Sequence, residues 1–291
     1  MAEPATKLED EIKAHARSLG ADLVGITATK RWAEQPLIEE DFFPQSLWPL
    51  ARSVIVMGMQ MPLPIVDTTP SPLHKELYDI VNRELDSVAF RLVQFLNRKG
   101  HPAFFFTRDG YVSMKALREK PQAAFSHIHA AYYAGLGTVG MNRVLLTPEF
   151  GPRVRLVSVF TAAELNSDPM MTEDLCIKCN LCAKCCPSSA IIAREDTVIG
   201  DFDVNACLGQ TEALVRRRIY PCGICTKVCP IGQDRALYQE KTMAKRYLAE
   251  KDALADNPDD PHYRSWSHIR KYGSSSIAGS ETAVSPIKGG N

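Results

Sequence analysis

The sequence predicts an α/β domain followed by a small cysteine-rich module, and two patterns carry that prediction. Up to about residue 165, short β-branched apolar runs alternate with segments of helical apolar spacing, which is the order of elements in an α/β domain. All nine cysteines then fall between Cys176 and Cys229. We therefore expect an α/β domain over residues 1–165, a cysteine module over 166–235, and a C-terminal helix with an extended tail over 236–291.

The individual elements follow from periodicity and from the glycines that flank them. Runs rich in Val, Ile, Phe and Met predict buried strands, and apolar residues three or four positions apart predict helices. Gly20 and Gly100 follow two of the helices and can end them. The predicted elements are a helix over 8–19, strands over 22–27 and 53–61, a helix over 73–96, a strand over 103–107, a short helix over 126–133, strands over 144–147 and 152–161 joined through PEFG, and a helix over 234–251.

Composition and charge narrow the possible partners. The chain of 291 residues is 45% apolar and 23% charged, which is typical of a globular protein. Its 34 basic residues balance 34 acidic ones, so no overall positive field would attract nucleic acid, and we expect none as a partner. The local run Arg216 to Arg218 is the one basic candidate, and a solvated helix face explains it equally simply.

The first residues bear on the cellular compartment. The segment MAEPATKLEDEIKAHARSLG is charged and helical in pattern, and it lacks the apolar stretch of a signal peptide. No apolar run approaches the roughly 18 residues that a membrane span needs. We expect a cytoplasmic protein without a membrane partner. In that reducing compartment, clustered cysteines indicate metal binding or catalysis more often than disulfides.

The first cysteine group has the spacing of a bacterial ferredoxin. Cys176, Cys179, Cys182 and Cys186, followed by Pro187, form C-x2-C-x2-C-x3-C-P, the run that binds a [4Fe–4S] cluster. Its first three thiolates can hold three irons of one cubane. The fourth belongs to a second cluster in such proteins, so a second cysteine group must exist.

That second group is present in a shortened form. Cys222, Cys225 and Cys229 precede Pro230 with C-x2-C-x3-C-P spacing, and Cys207 is available as the missing thiol. The module is therefore predicted to be ferredoxin-like with two [4Fe–4S] clusters. Cluster one is assigned to Cys176, Cys179, Cys182 and Cys229, cluster two to Cys186, Cys207, Cys222 and Cys225, and Cys185 is the spare.

Zinc binding and disulfide formation are the alternatives for these cysteines. Zinc sites normally use two paired C-x2-C knuckles instead of three cysteines in a row with a fourth before proline. A reducing compartment disfavours disulfides. The cluster interpretation instead predicts one-electron transfer chemistry, at potentials set by hydrogen bonds and burial.

A glycine-rich turn precedes the cysteine module. Gly135, Gly137 and Gly140 have the G-x-G-x-x-G spacing of a dinucleotide site. The context differs from that fold, because the run follows a helix-like segment instead of a strand. The spacing alone therefore does not favour a dinucleotide site at this turn.

The combined pattern resembles a known superfamily. AGLGTVGMNRVLLTPEFGPRVRLVSVFT, followed by the ferredoxin run, a lone cysteine and IYPCGICTKVCP, resembles the epoxyqueuosine reductases and the C-terminal half of the reductive dehalogenases. SLGADLVGIT and ARSVIVMGMQMP are similar to the N-terminal region of the same proteins. The resemblance covers roughly residues 8 to 235.

The resemblance implies a cofactor and an electron path. Relatives hold a cobalamin without its lower axial base in a cobalamin-reductase-like α/β domain, and two [4Fe–4S] clusters deliver electrons to it. Carried over, Gly135, Gly137, Gly140 and Asn142 would lie against the corrin, since glycine has no Cβ to obstruct it.

The sequence departs from the epoxyqueuosine reductases where their catalytic aspartate lies. That place falls near Pro121, in KPQAAFSHIHAA, and the aspartate role is not transferred. His127 and His129 become candidate proton donors, with helix capping or core packing as their alternative. On a helix the two side chains diverge by about 200°, so one shared metal is not expected. Asp109 and Tyr111, after the 103–107 strand, are further candidates, or else a turn residue and a surface aromatic.

Three functions remain in view. The first is a reductase that takes electrons from an external ferredoxin or flavodoxin and acts on a small molecule through cobalamin. The second is a corrin-free electron-transfer partner that reduces another enzyme. The third is tRNA epoxyqueuosine reduction, which would show salt-dependent tRNA binding.

Overall fold

The structure, a computed structural model, describes residues 7–108, 113–238, 242–257 and 260–263. Most of the predicted tail, and the candidates Asp109 and Tyr111, lie outside those residues. The helices are α1 Leu8–Ser18, α2 Arg31–Glu34, α3 Pro44–Leu47, α4 Leu63–Val66, α5 Pro72–Arg98, α6 Met114–Glu119, α7 His127–Tyr133, α8 Leu181–Lys184, α9 Val204–Val215, α10 Ile224–Lys227, α11 Asp234–Leu237 and α12 Met243–Asp256. The strands are β1 Leu23–Ala28, β2 Ser53–Gln60, β3 Ala103–Phe106, β4 Thr138–Val139, β5 Leu145–Leu146, β6 Val154–Thr161, β7 Ile191–Ile192 and β8 Asp201–Phe202.

A four-stranded sheet forms the centre of the first domain. Its strand order is β1-β2-β6-β3, and every neighbouring pair is antiparallel. The central strands β2 and β6 are paired along their full length, from Ser53 opposite Thr161 to Gln60 opposite Val154. Long β-branched runs form these two strands because apolar side chains are needed on both faces of a sheet that is covered on both sides. The predicted α/β fold is confirmed.

Alternate residues of the central strands face two separate cores. Ile55 and Met57 pack in the core that contains the apolar residues of α1 and α5. Val54 and Val56 pack on the opposite face, in the core that contains Trp32 and the apolar residues of α7. Because successive side chains of a strand point to opposite faces, each central strand contributes to both cores: one against α1 and α5, the other against Trp32 and α7. No helix among the described residues combines the length and apolar character that crossing a bilayer requires.

Two predicted connections differ from the observed ones. The strands predicted over 144–147 and 152–161 do not pair with each other: β5 pairs with β4, and β6 pairs with β2 and β3. The glycine turn makes this possible because it brings Thr138 back opposite Leu146. The single helix predicted over 234–251 is also wrong, since α11 ends at Leu237 and α12 begins at Met243.

A buried ion pair fastens the cysteine module to the sheet. Arg153, just before β6, donates from Nε and Nη2 to the two carboxylate oxygens of Asp234, each at 2.6 Å. The same guanidinium donates to the carbonyl oxygens of Ile231 at 2.6 Å and Cys229 at 3.3 Å. Both charged side chains are almost fully buried, at 0% and 2% exposure. Bidentate pairing with additional hydrogen bonds is the geometry that makes such burial tolerable.

We predict that Asp234→Asn lowers the free energy of unfolding by about 3–5 kcal/mol, because it leaves the Arg153 guanidinium buried without an opposite charge. The measurement is the Tm of the anaerobically purified protein, followed by circular dichroism. Asp196→Asn is the matched control, since it breaks the exposed pair with Arg194 and should leave the Tm unchanged. Equal Tm values for the two variants would contradict the importance of the buried pair.

Candidate functional site

Eight of the nine cysteines lie in two neighbouring groups. The thiols close to Cys182 are those of Cys229, Cys179 and Cys176; burial first, and then these neighbouring thiols, raise the pKa of Cys182. Cys225 in turn lies close to Cys222, Cys207 and Cys186, and also to Cys182. The structure thus brings together the two sets of thiols that the spacing assigns to two clusters. We call them group one (Cys176, Cys179, Cys182, Cys229) and group two (Cys186, Cys207, Cys222, Cys225).

The more deeply buried thiols of each group are difficult to ionise without a cation. Burial is the main cause, and neighbouring thiols add to it, raising the pKa of Cys182 and of Cys222 to about 12 and that of Cys229 to about 11. A thiol binds metal as the thiolate. A bound cation lowers the pKa of a coordinating thiol, so this donor set fits iron, whose positive charge compensates for burial.

A left-handed residue forms a sharp turn in each group. The residue after Cys179 is Asn180, with φ of 58°, and the residue after Cys222 is Gly223, with φ of 66°. Each is left-handed and precedes a one-turn helix, α8 or α10. This conformation turns the chain sharply, so that the next cysteine can reach the same group. Asn and Gly are the residues that adopt it most readily.

Cys185 is assigned to neither group, but it lies near a thiol of each: Cys179 influences its pKa, and Cys222 packs against the same core. Its side chain packs with Ile224, Val228, Ala244 and Tyr247 in a small apolar core beneath α12. Burial raises its pKa. The structure therefore gives Cys185 the environment of a small packing residue.

A large cavity opens between the sheet and the cysteine module. It has a volume of about 1120 Å³. Cys225 and Thr226 line it on the module side, while α7 and the start of β6 line it on the sheet side. Ligand cavities are typically about 300–1000 Å³, so this one has room for a large cofactor or for a cofactor with a substrate.

His127 is held by hydrogen bonds at both ring nitrogens. Nδ1 lies 2.9 Å from Ser158 Oγ, and Nε2 lies 3.0 Å from the Thr107 carbonyl oxygen. Because a carbonyl oxygen only accepts, Nε2 carries a proton that is already donated to it. The side chain lines the cavity, but this arrangement joins α7 to β6 and to the segment after β3.

His129 is placed differently, as expected for two residues two positions apart on a helix. Its Nδ1 lies 2.8 Å from Ser126 Oγ, and Nε2 makes no hydrogen bond within the described part of the chain. Burial, and then the nearby charge of Arg143, hold the pKa of His129 below its usual value. Both side chains line the cavity. With Ser126 donating to Nδ1, the neutral ring carries its proton on Nε2, which can donate to a ligand.

The glycines of the predicted corrin turn pack against the protein itself. A Cβ on Gly135 would lie 2.1 Å from the carbonyl oxygen of Pro169, and one on Gly137 would lie 2.0 Å from that of Leu146. A Cβ on Gly140 would contact the Leu146 side chain at 2.7 Å. Glycine is therefore required here for close backbone packing. The described lining of the large cavity does not include these glycines, and their role toward a corrin stays a prediction.

Asn142 lies at the tip of the β4–β5 hairpin and points toward group one. It is 5% exposed, and its side chain lines a small pocket together with all four thiols of group one. Its Nδ2 is buried without a hydrogen-bond partner in the structure. A sulfur-rich cluster held by group one would provide the missing acceptor, so this orphaned donor also fits the cluster assignment.

Several residues that join the first domain to the cysteine module could not be identified from sequence spacing. Thr69 Oγ1 donates to the Cys222 carbonyl oxygen at 2.7 Å and also lies 2.9 Å from Nδ1 of His74. Burial lowers the pKa of His74 to about 4, so this ring is neutral at pH 7. Arg153 and Asp234 are equally invisible in the sequence, because their partners lie about 80 residues away.

Relatives of known activity align with most of the chain. It is 24% identical over 279 residues to the epoxyqueuosine reductase of Bacillus subtilis, covering 80% of this chain and 66% of that protein. It is 28% identical over 264 residues to the tetrachloroethene reductive dehalogenase of Sulfurospirillum multivorans, covering 77% and 50%. The chain thus spans between half and two thirds of these relatives. No protein-family model matches it.

Solved structures of both kinds share the fold. A reductive dehalogenase structure matches 98% of this chain and 39% of its own, with a TM-score of 0.58 and 21% identity. An epoxyqueuosine reductase solved with an epoxyqueuosine-modified tRNA stem loop matches 95% of this chain and 78% of its own, with a TM-score of 0.52 and 18% identity. The relatives in sequence and the neighbours in fold thus come from both the epoxyqueuosine reductases and the reductive dehalogenases.

Proposed function

We propose that the chain is an iron–sulfur reductase in which two [4Fe–4S] clusters supply single electrons to a ligand in the large cavity. The observation that carries this proposal is the position of Cys225, which belongs to group two and also lines the cavity. Electron supply and ligand binding therefore meet at one residue. The named relatives are reductases, which supports an oxidoreductase role.

Groups one and two are the residues that would hold the clusters. The C-x2-C-x2-C-x3-C-P spacing favours iron–sulfur clusters over the zinc alternative, whose sites normally use two paired C-x2-C knuckles. A four-iron cluster spreads its thiolates over different irons and suits two groups of four. Clusters of this type transfer electrons singly. Ile177, 65% exposed between two thiols of group one, marks the side that an external ferredoxin or flavodoxin can approach.

The cavity suits a cobalamin together with a small-molecule substrate. Its volume of about 1120 Å³ and its mixture of apolar and basic lining residues favour a ligand-binding role over that of a corrin-free electron-transfer partner. When bound, a cobalamin supplies a strongly reducing metal centre. The imidazolium form of His129, which the lowered pKa makes the minor form at pH 7, would provide the proton that a reductive cleavage requires, while His127 positions α7.

Reduction of epoxyqueuosine in tRNA is the second candidate. The match to the reductase solved with a tRNA stem loop favours it. The measurement that separates it from a small-molecule reductase is a mobility shift with tRNA at increasing salt concentration. Binding that weakens steeply with salt supports tRNA recognition, and the absence of a shift at low salt leaves the small-molecule reductase.

Cysteine substitutions test the cluster assignment. The protein should contain about eight irons per chain when both clusters are present. Cys185→Ala should retain that content, because the spacing assigns this residue to neither cluster and its side chain packs in an apolar core with Ala244 and Tyr247. Cys207→Ala should lower the iron content by depriving group two of a ligand. Iron analysis and EPR of the reduced proteins are the measurements. Equal iron loss in the two variants would contradict the assignment.

Cobalamin binding tests the cofactor. After incubation with hydroxocobalamin and desalting, we expect the anaerobically reconstituted protein to retain about one cobalt per chain, with the EPR signal of base-off Co(II). Retained cobalt without a base-off signal would contradict the expected coordination. Two cluster signals without cobalt would leave the corrin-free electron-transfer alternative.

His129→Gln and His127→Gln distinguish a proton donor from a positioning residue. With tetrachloroethene as a trial substrate, His129→Gln should lower turnover by about 10²-fold or more at unchanged iron and cobalt content. His127→Gln should chiefly lower the Tm, because it removes the contacts with Ser158 and Thr107. Unchanged turnover in His129→Gln would exclude it as the donor for this substrate.

A further inference from the structure

The hairpin between β4 and β5 inserts its tip into the cysteine module. The tip is closed by hydrogen bonds from Gly140 N to the Val144 carbonyl oxygen at 3.1 Å and from Arg143 N to the Gly140 carbonyl oxygen at 2.8 Å. Arg143 is left-handed, with φ of 56°, which returns the chain sharply toward β5. Met141 and Asn142 occupy the tip, and both are buried, at 2% and 5% exposure.

Met141 contacts thiols of both groups, whereas Asn142 faces group one. Met141 packs in the small core that includes Cys182 of group one and Cys225 of group two. Asn142 lines the pocket enclosed by the four thiols of group one and by Ile231. The first domain therefore contributes one apolar and one amide side chain to the space around the clusters.

The Asn142 amide nitrogen has no hydrogen-bond partner in the structure. Nδ2 has two N–H donors, and neither is bonded in the structure. Leaving a buried donor unsatisfied costs about 1–3 kcal/mol, so such groups are normally paired. The pocket that this donor faces is lined mainly by sulfur atoms and apolar groups, and a sulfur of a bound cluster is an acceptor in the right place.

We propose that Asn142 donates a hydrogen bond to a sulfur atom of the cluster held by group one and thereby raises the reduction potential of that cluster. This inference rests on the proposed function, since it requires the clusters. A hydrogen bond to cluster sulfur stabilises the more negative, reduced state and moves the potential upward. Asn142 is the amide donor that faces the pocket of group one. The bond therefore favours reduction of cluster one, the cluster on the exposed side.

The test is an EPR-monitored redox titration of Asn142→Ala and Asn142→Asp. Asn142→Ala removes the donor, so the midpoint potential of cluster one should become more negative. Asn142→Asp retains the size but adds a carboxylate, so its shift should be larger in the same direction. Cluster two in the same samples is the internal control, and Asn166→Ala, at an exposed position, is the matched surface control.

The outcomes separate this inference from the proposed function. Wild-type protein that gives no [4Fe–4S] signals after reconstitution would remove the clusters and the inference with them. Wild-type signals from both clusters, with an unchanged cluster-one potential in both Asn142 variants, would overturn the hydrogen bond alone. If Asn142→Ala does not assemble cluster one, the nearly isosteric Asn142→Asp decides. A shift confined to cluster one supports the inference, and equal shifts in both clusters overturn it.

Discussion

The buried pair between Arg153 and Asp234 is the interaction on which the geometry of the site depends. It joins the segment before β6 to the chain that follows Cys229, and the same guanidinium also holds the Cys229 carbonyl oxygen. Gly151 packs beside it, because a Cβ there would lie 2.0 Å from the Ile231 carbonyl oxygen. This joint fixes the backbone at the last thiol of group one relative to the start of β6, which lines the cavity.

Cysteine spacing was the strongest signal in the sequence because it reports on local geometry. Three cysteines with two residues between each pair, and a fourth before proline, can bind few kinds of metal centre. The spacing therefore restricts both the bound group and the fold of the segment. The pairing of Cys229 with the first run follows from the same rule, and the structure brings those thiols together. Buried strands and the long helix α5 were also predictable, because their apolar periods are long and regular.

What escaped prediction depends on contacts between distant parts of the chain. The glycines of the AGLGTVG run suggested close approach to a ligand. In the structure, Gly135 and Gly137 pack against protein backbone and Gly140 packs against the Leu146 side chain, and a role toward a corrin stays a prediction. Asn142 looked like part of a corrin turn, and it faces the thiols of group one instead. His127 and His129 were equivalent in the sequence, and only their hydrogen-bond partners distinguish them. Such partners are set by tertiary packing, which local spacing does not encode.

The exchange of one thiol between the two segments has a consequence for how the module forms. Group one takes three thiols from one short segment and its last from Cys229, while group two takes Cys186 from the end of that first segment. Neither group is complete until both segments have come together across the intervening residues. Closing this loop costs conformational entropy, and a single closure serves both groups. Assembly of the module is therefore cooperative: completing one group brings the ligands of the other into place.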